Sequence, residues 1–311
     1  MEDPFATLRV AVLLSTYNGA AFLAAQLDSL AGQSHSNWML FWRDDGSHDG
    51  SVAVLEAFAA GPGAGRCVHI ASPVGHLGPT ASFLILLRAA VTQGDFDAIA
   101  FADQDDVWLP AKLSRGLTAL QGTALPAIYC ARQILVDAEL RRTGVSGLLA
   151  RQPGFPASLT QNVATGCTVM LSAAAAGLVA RSNPSPASLH DWWCYLLVTA
   201  AGGLFLHDDE PVVLYRQHAG NFVGAPPSQW QRARSALQRG PALFMSVLRQ
   251  NVAALAAQPE LLSPSARVQI QRLHKALQGG LIRRLGALGL PGLYRQTWTE
   301  TLLFRVWFLI G

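Results

Sequence analysis

The chain reads as an α/β protein: a mostly parallel sheet followed by a C-terminal helical appendage. Two patterns and one imbalance predict this. Three apolar runs of strand length each stop in a polar turn and give way to a helical pattern, the alternation expected of a parallel sheet with crossover helices. Half of the 311 residues are hydrophobic, enough for a substantial core. Residues 228–311 hold eleven Lys and Arg against Glu260 and Glu300, a formal +9, which leaves −6 for residues 1–227. The domain boundary is therefore expected at 227/228, with 1–227 as the α/β domain and 228–311 as a basic helical region.

The first predicted strand, over 9–14, ends in Ser15-Thr16-Tyr17-Asn18-Gly19 and precedes an amphipathic helix over 20–30. The second, over 38–42, runs into Arg43-Asp44-Asp45-Gly46-Ser47-His48-Asp49-Gly50 and a helical pattern over 51–60. The third, over 98–102, ends in Asp103-Gln104-Asp105-Asp106-Val107-Trp108 before a helix that begins near Pro110. Cys67 and Cys130 fall in further strands, and short strands are expected over 169–171 and 212–215. Residues 135–161, with Gly144, Gly147, Pro153, Gly154 and Pro156, read as a long loop. A helix is expected to run on from Asp191. Right-handed crossovers bring the carboxyl ends of parallel strands to one edge, where ligands bind, so the three polar turns are expected side by side.

Composition excludes several classes. The cysteines Cys67, Cys130, Cys167 and Cys194 are widely spaced with no CxxC pair, which suits reduced thiols in a cytoplasmic protein and neither a disulfide framework nor zinc. No basic-then-apolar leader opens the sequence, so secretion is not expected. The arginines of the tail are spread out and form no zinc-finger or helix-turn-helix pattern, so no nucleic acid partner is expected. Residues 301–310 are apolar apart from Thr301 and Arg305, too short a run for a membrane span. Such helices either lie in an anionic membrane surface or pack with their arginines toward water.

Three carboxylates within four residues at a strand end repel one another and desolvate badly, which calls for a cation or a shared proton. Asp103 and Asp105 can reach one Mg²⁺ or Mn²⁺, hard ions that take oxygen ligands and keep positions open for phosphates. The other reading is a solvated turn in which Asp103 caps the following helix. At the first strand end, Thr16 and Tyr17 offer an amide, a hydroxyl and an aromatic face able to hold a pyrimidine. For Asp45, Ser47 and Asp49 the favoured reading is an Asx turn and a cap for the helix at Ser51. Arg216 offers bidentate donors for a phosphate.

Ser15-Thr16-Tyr17-Asn18-Gly19, then Asp44-Asp45-Gly46-Ser47, then Asp103-Gln104-Asp105-Asp106, His190-Asp191-Trp192-Trp193 and Tyr215-Arg216-Gln217-His218-Ala219-Gly220-Asn221 occur in order. Together they resemble the family 2 inverting glycosyltransferases, and their bacterial rhamnosyltransferase-like branch in particular. The resemblance implies the A-type glycosyltransferase fold with its Rossmann-like sheet, and a nucleoside-diphosphate sugar donor of UDP or dTDP type. It also implies a glycan or lipid-linked acceptor in cell-surface polysaccharide synthesis. It assigns Asp44 to the base N3–H, Asp103 to the ribose side, Asp105 and His218 to the metal, and Asp191 to the general base. A carboxylate beside two indoles would accept a proton near neutral pH; read without the family, Asp191 is a helix N-cap. Two rivals stand beside this: an inactive relative serving as a binding subunit, and a phosphoaspartate receiver. The lack of any lysine between Lys112 and Lys275 argues against the receiver.

Overall fold

The computed structural model describes residues 5–71, 75–218 and 229–311. In chain order its elements are β1 (Val10–Thr16), α1 (Ala20–Ala31), β2 (Trp38–Asp44), α2 (Ser51–Ala60), β3 (Cys67–His69), α3 (Pro79–Gln93), β4 (Ala98–Ala102), β5 (Val107–Trp108), α4 (Lys112–Leu120), β6 (Ala127–Val136), β7 (Arg142–Val145), β8 (Met170–Ser172), α5 (Ala173–Ala180), α6 (His190–Ala200), β9 (Leu204–Arg216), α7 (Gln229–Ala256), α8 (Pro264–Leu277), α9 (Leu281–Leu288) and α10 (Trp298–Ile310). Contacts divide them into two units. One holds residues up to Leu148, Ala164–Ala180 and Leu206–Ala219; the other holds Leu149–Val163, Arg181–Phe205 and Gly220–Gly311.

The first unit is a mixed sheet in the order β3-β2-β1-β4-β8-β6-β9-β5, with β7 beside β6. β1, β2, β3 and β4 pair in parallel, as the strand–helix alternation predicts. Beyond β4 the partners turn antiparallel: β8 on β4 and β6, β7 on β6, β5 on β9. β1 and β4 read as unbroken apolar runs because both of their faces are covered. Val10, Val12 and Leu14 pack with Leu23, Leu27 and Leu30 of α1. Phe101 meets Phe83 of α3 edge-on, with ring centroids 5.4 Å apart. Each such buried Leu or Phe contributes about 1.5–3 kcal/mol relative to exposure.

Register decides where the chemistry lies. Thr16 stands opposite Asp44, and Leu14 stands opposite Ala102, so β1 and β2 end level, β4 stops two residues earlier, and their polar turns share one edge. The expected loop over 135–161 is partly a hairpin instead: β6 extends to Val136 and turns into β7. That turn is closed by Asp137, which accepts from the Arg141 N–H and guanidinium, with Leu140 in the left-handed region. The strand expected over 212–215 is the last third of the longer β9.

The second unit gathers more than a tail beginning at 228, because two earlier segments are tied to the late helices by hydrogen bonds. The Thr160 hydroxyl donates to Tyr294 O (2.6 Å), Gln258 bonds both the N–H and the carbonyl of Asn183, and Ser263 N–H donates to Ala200 O. The predicted breaks occur where proline and glycine place them. α7 is interrupted at Gly240 (φ 70°) before Pro241, and Pro264 opens α8 behind Ser263, whose side chain caps Ala266 N–H. α10 starts with a reciprocal capping box between Thr297 and Glu300. Met245, Leu248, Val252, Ile270, Leu273, Phe304 and Phe308 are buried, so these helices have a core of their own.

Candidate active site

The turn after β1 is held by two others. Gln104 Oε1 accepts from the Thr16 hydroxyl (2.7 Å) and from Tyr17 N–H (2.8 Å), while its Nε2 donates to Tyr17 O (3.1 Å). A Cβ at Gly19 would collide with that amide, which is why glycine stands there. On the other side, Asn18 N–H donates to Ser47 Oγ, His48 N–H to Asn18 Oδ1, and Gly19 N–H to Ser51 Oγ. Asp49 accepts from Ser51 N–H and also from Ala20 N–H, the first residue of α1. The N-cap of α2 is Gly50, with no side-chain cap, so Asp49 meets the first N–H of that helix from the residue before the cap position, and the same carboxylate serves the amino end of α1, whose own N-cap is Gly19.

These bonds determine what remains available at the edge. Thr16 is buried and its hydroxyl is committed to Gln104, so it acts in the clamp. The Tyr17 side is open: the residue is 42% exposed, and its ring centroid lies 4.3 Å from that of His76. Asp44 Oδ2 accepts from the N–H groups of Gly46 and Ser47 in an Asx turn, whereas Oδ1 is buried and accepts no bond among the described residues. A carboxylate oxygen buried without a partner carries an uncompensated desolvation cost, which a donor reaching it would relieve. Asp45 points inward. Burial alone would raise its carboxyl, but the Arg43 guanidinium and the N–H groups of Leu77 and Gly78 hold it below the ordinary value.

The acidic turn after β4 separates its three carboxylates. Asp105 meets His218, whose Nε2 is 2.9 Å from Asp105 Oδ2, and both side chains keep some access to solvent. Phe22 of α1 backs this pair, its ring centroid 4.6 Å from the His218 ring. Arg216 does not reach outward: it is buried, Nε donates to Asp105 O, Nη1 to Ala138 O, and its guanidinium lies over Phe22. Its backbone N–H donates to Asp106 Oδ1. The contacts of Arg216 therefore fit a brace for the acidic turn better than the expected phosphate clamp. Ala219, Gly220 and Asn221 of that motif lie outside the described residues.

Asp106 is fully buried, and burial followed by the charges of Asp103 and Asp105 pushes its carboxyl well up. Lys112 lies in the same interior. Burial pushes its ammonium down to about 7, partly offset by Cys167, Cys130, Asp106 and Asp103. Asp103, Asp106 and Cys167 offer ligand atoms within 4.8 Å of one another. The Cys167 thiol is pushed up by burial and by Asp106 and Asp103, so it stays protonated, and a thiol suits a hard divalent ion poorly. The donors that fit Mg²⁺ or Mn²⁺ are Asp105 oxygen and His218 nitrogen, already adjacent and partly open, with Asp103 at the same turn.

Asp191 belongs to the second unit. It is the second residue of α6, whose N-cap is Leu189, so it is a first-turn acid and not the cap. Its carboxylate is largely buried, with Oδ1 2.6 Å from Trp192 N. The two indoles that follow are anchored: Trp192 Nε1 donates to Ser158 O and Trp193 Nε1 to Ser182 Oγ, each at 2.8 Å. The ring nitrogens of His190 are buried although the residue keeps some exposure, and burial pushes its imidazole down to about 3, so it is neutral.

The sequence profile of glycosyl transferase family 2 matches residues 11–175, more than half of the chain. The chain belongs to this family. It is similar to the dTDP-rhamnosyl transferase RfbG of Shigella flexneri, 26% identical over 226 residues that cover 68% of this chain and 74% of that protein. A shorter stretch of 116 residues is 30% identical to an uncharacterized glycosyltransferase of Nostoc sp., covering 37% of this chain and 33% of the relative. Among solved structures, S. aureus TarS in complex with UDP-GlcNAc superposes with a TM-score of 0.58 over 87% of this chain and 72% of that one, at 15% identity. The likeness to TarS extends the shared fold beyond the profile match.

Reading the sequence missed Gln104, Arg43 and Lys112. Gln104 carried one signal, an amide between acids in Asp-Gln-Asp-Asp. The other two are interior partners of carboxylates and gave none.

Proposed function

We propose that this family 2 member is an inverting glycosyltransferase that moves a sugar from a nucleoside diphosphate of UDP or dTDP type to a glycan or lipid-linked acceptor in bacterial cell-surface polysaccharide synthesis. Rhamnose is the favoured donor sugar, on the similarity to the rhamnosyl transferase of Shigella flexneri. The observation that carries the reading is the meeting of Asp105 and His218, both partly open to solvent, on the edge where β2 ends at Asp44. Asp44 takes the N3–H of the pyrimidine and Tyr17 covers its ring, which explains a uracil or thymine preference over bases lacking that donor. Asp103 faces the ribose. Asp105 and His218 would hold Mg²⁺ or Mn²⁺, which when bound would supply counter-charge to the departing diphosphate.

Asp191 takes the proton of the attacking acceptor hydroxyl while that oxygen bonds to the anomeric carbon. The bond to the diphosphate breaks on the opposite face, so configuration inverts in one displacement with no covalent enzyme intermediate. Arg216 and Gln104 act by position: one braces the backbone of Asp105, the other fixes Tyr17 against the acidic turn. The enzyme is placed at the cytoplasmic face of the membrane, with the C-terminal helices supplying contact; no helix among the described residues is long and apolar enough to cross it.

Thermal stabilisation by a nucleotide panel, with and without Mn²⁺, tests the reading. UDP or dTDP is expected to raise the melting temperature only when metal is present, and GDP or ADP much less. A chain that responds to no nucleotide under either condition is a binding subunit and not a transferase.

A further inference from the structure

α10 carries two opposite stripes. Thr301, Phe304, Trp307 and Phe308 are buried, while Trp298, Leu302, Val306 and Ile310, spaced four residues apart and so in line along one face, are 69%, 49%, 45% and 70% exposed. α9 repeats the pattern: Ala287 faces inward, whereas Leu281 and Leu285 are exposed and Ile282 is 86% exposed. The two helices are neighbours, with Arg284 of α9 directed at the carbonyls of Phe308 and Leu309 at the end of α10. Seven large apolar side chains left in water on adjacent helices mark an interaction face, since single exposed apolar residues are ordinary but stripes are not.

Charge identifies what covers it. Arg272, Lys275, Arg283 and Arg305 are all exposed on α8, α9 and α10. Neither α8 nor α9 contains an acid, and the one acid of α10, Glu300, is engaged in the capping box. A second copy packed face to face would bring these cations against their own images, and an acid-free rim offers them no partner there. α10 has 13 residues, about 20 Å of helix, so it is too short to span a bilayer of about 30 Å. An apolar stripe of Trp, Leu, Val and Ile with a cationic rim suits the plane of an anionic bilayer surface.

We infer that α9 and α10 form an anionic-membrane docking face, in which Leu281, Ile282, Leu285, Trp298, Leu302, Val306 and Ile310 enter the acyl boundary while Arg283 and Arg305 engage lipid phosphates. This deepens the membrane contact proposed above and is tested apart from it. The full chain is co-sedimented with phosphatidylcholine vesicles, alone or with about a third phosphatidylglycerol, at low and high salt. At least about tenfold tighter partitioning onto the anionic vesicles is expected, weakened by salt. Leu302→Glu with Val306→Glu, and separately Ile282→Glu, are expected to abolish partitioning without lowering the melting temperature or the Mn²⁺-dependent affinity for UDP or dTDP. Arg283→Gln and Arg305→Gln are each expected to reduce the anionic preference about fivefold. Equal partitioning onto neutral and anionic vesicles, no partitioning at all, or Glu variants that still sediment would overturn the assignment. So would Glu variants that convert a dimer to a monomer with lipid binding intact, which would make the face a contact between copies. Loss of nucleotide binding in the unmodified protein would instead count against the proposed function and leave the lipid measurement standing.

Discussion

Lys112→Met is expected to make the protein more stable at neutral pH. Lys112 is fully buried, its Nζ has no hydrogen-bond partner among the described residues, and it sits 3.6 Å from the centroid of the Trp108 ring. Burial brings its ammonium from 10.5 to about 7. At 1.36 kcal/mol for each step of one, that difference means ~5 kcal/mol of stability forgone to bury the amine, half of it deprotonated at pH 7. The lost contact with the indole returns up to about 2 kcal/mol, so the variant should gain ~3 kcal/mol at pH 7. Between pH 7 and 10.5 the unfolded chain binds more protons than the folded one, so wild-type stability rises with pH across that window. The gap should therefore close as pH approaches about 10. Urea titrations of both proteins from about pH 7 to about pH 10 read this as a converging pair of midpoints. A variant less stable at pH 7, or a gap that does not narrow, would refute the reasoning. Because one cation is removed from behind the acidic turn, Mn²⁺ is also expected to bind Lys112→Met more tightly.

Gln104→Ala leaves the buried Thr16 hydroxyl without its acceptor and frees Tyr17, so a loss of about 1–3 kcal/mol in denaturation and weaker UDP or dTDP binding in calorimetry are expected together. Asp208→Asn weakens the two-pronged bond from Arg115, whose side chain is itself partly exposed, and should cost about 1 kcal/mol at pH 7. Burial raises the Asp208 carboxyl, but Arg115, Glu210 N–H and Tyr129 outweigh it and hold the group low. The stability it contributes is therefore present above the ordinary carboxylate range and lost as pH falls through the folded value, and acid unfolding curves of the variant should lack that component. Asp191→Asn is expected to keep nucleotide affinity and lose turnover by roughly 10²-fold, measured as product formed per enzyme; retention of more than about a tenth would place the base elsewhere.

The parallel half of the sheet was legible because β1, β2 and β4 are covered on both faces and show as unbroken apolar runs, and the bounds of Ser51–Ala60 and Ala98–Ala102 agree with the expectation. The antiparallel half was not. β7, Arg-Thr-Gly-Val, is short and half-polar, and β9 carries in its middle His207-Asp208-Asp209-Glu210-Pro211, a run that looks like a loop until Arg115 and Tyr129 are seen to satisfy Asp208. The candidate site divides in the same way. Asp103 and Asp105 follow from a strand end plus an acidic turn, Asp44 in place of Asp45 follows from the family resemblance, and the bond of Asp49 to Ser51 N–H follows from their spacing. The Gln104 clamp, the Arg43–Asp45 pair and the interior of Lys112 with Asp106 depend on side-chain directions that residue spacing alone does not encode. The breaks in the late helices were visible in their prolines, but the recruitment of Leu149–Val163 and Arg181–Phe205 to those helices rests on bonds such as Thr160 to Tyr294 that no local pattern announces.

Titration calorimetry of UDP and dTDP into the wild-type chain and into Asp105→Ala, each with and without Mn²⁺, tests most directly whether Asp105 and His218 hold the metal that receives the diphosphate. The wild type should bind only with Mn²⁺ present, and Asp105→Ala should lose that binding while its melting temperature stays unchanged. Unchanged Mn²⁺-dependent affinity in Asp105→Ala would contradict the assignment, as would equal binding by the wild type with and without metal.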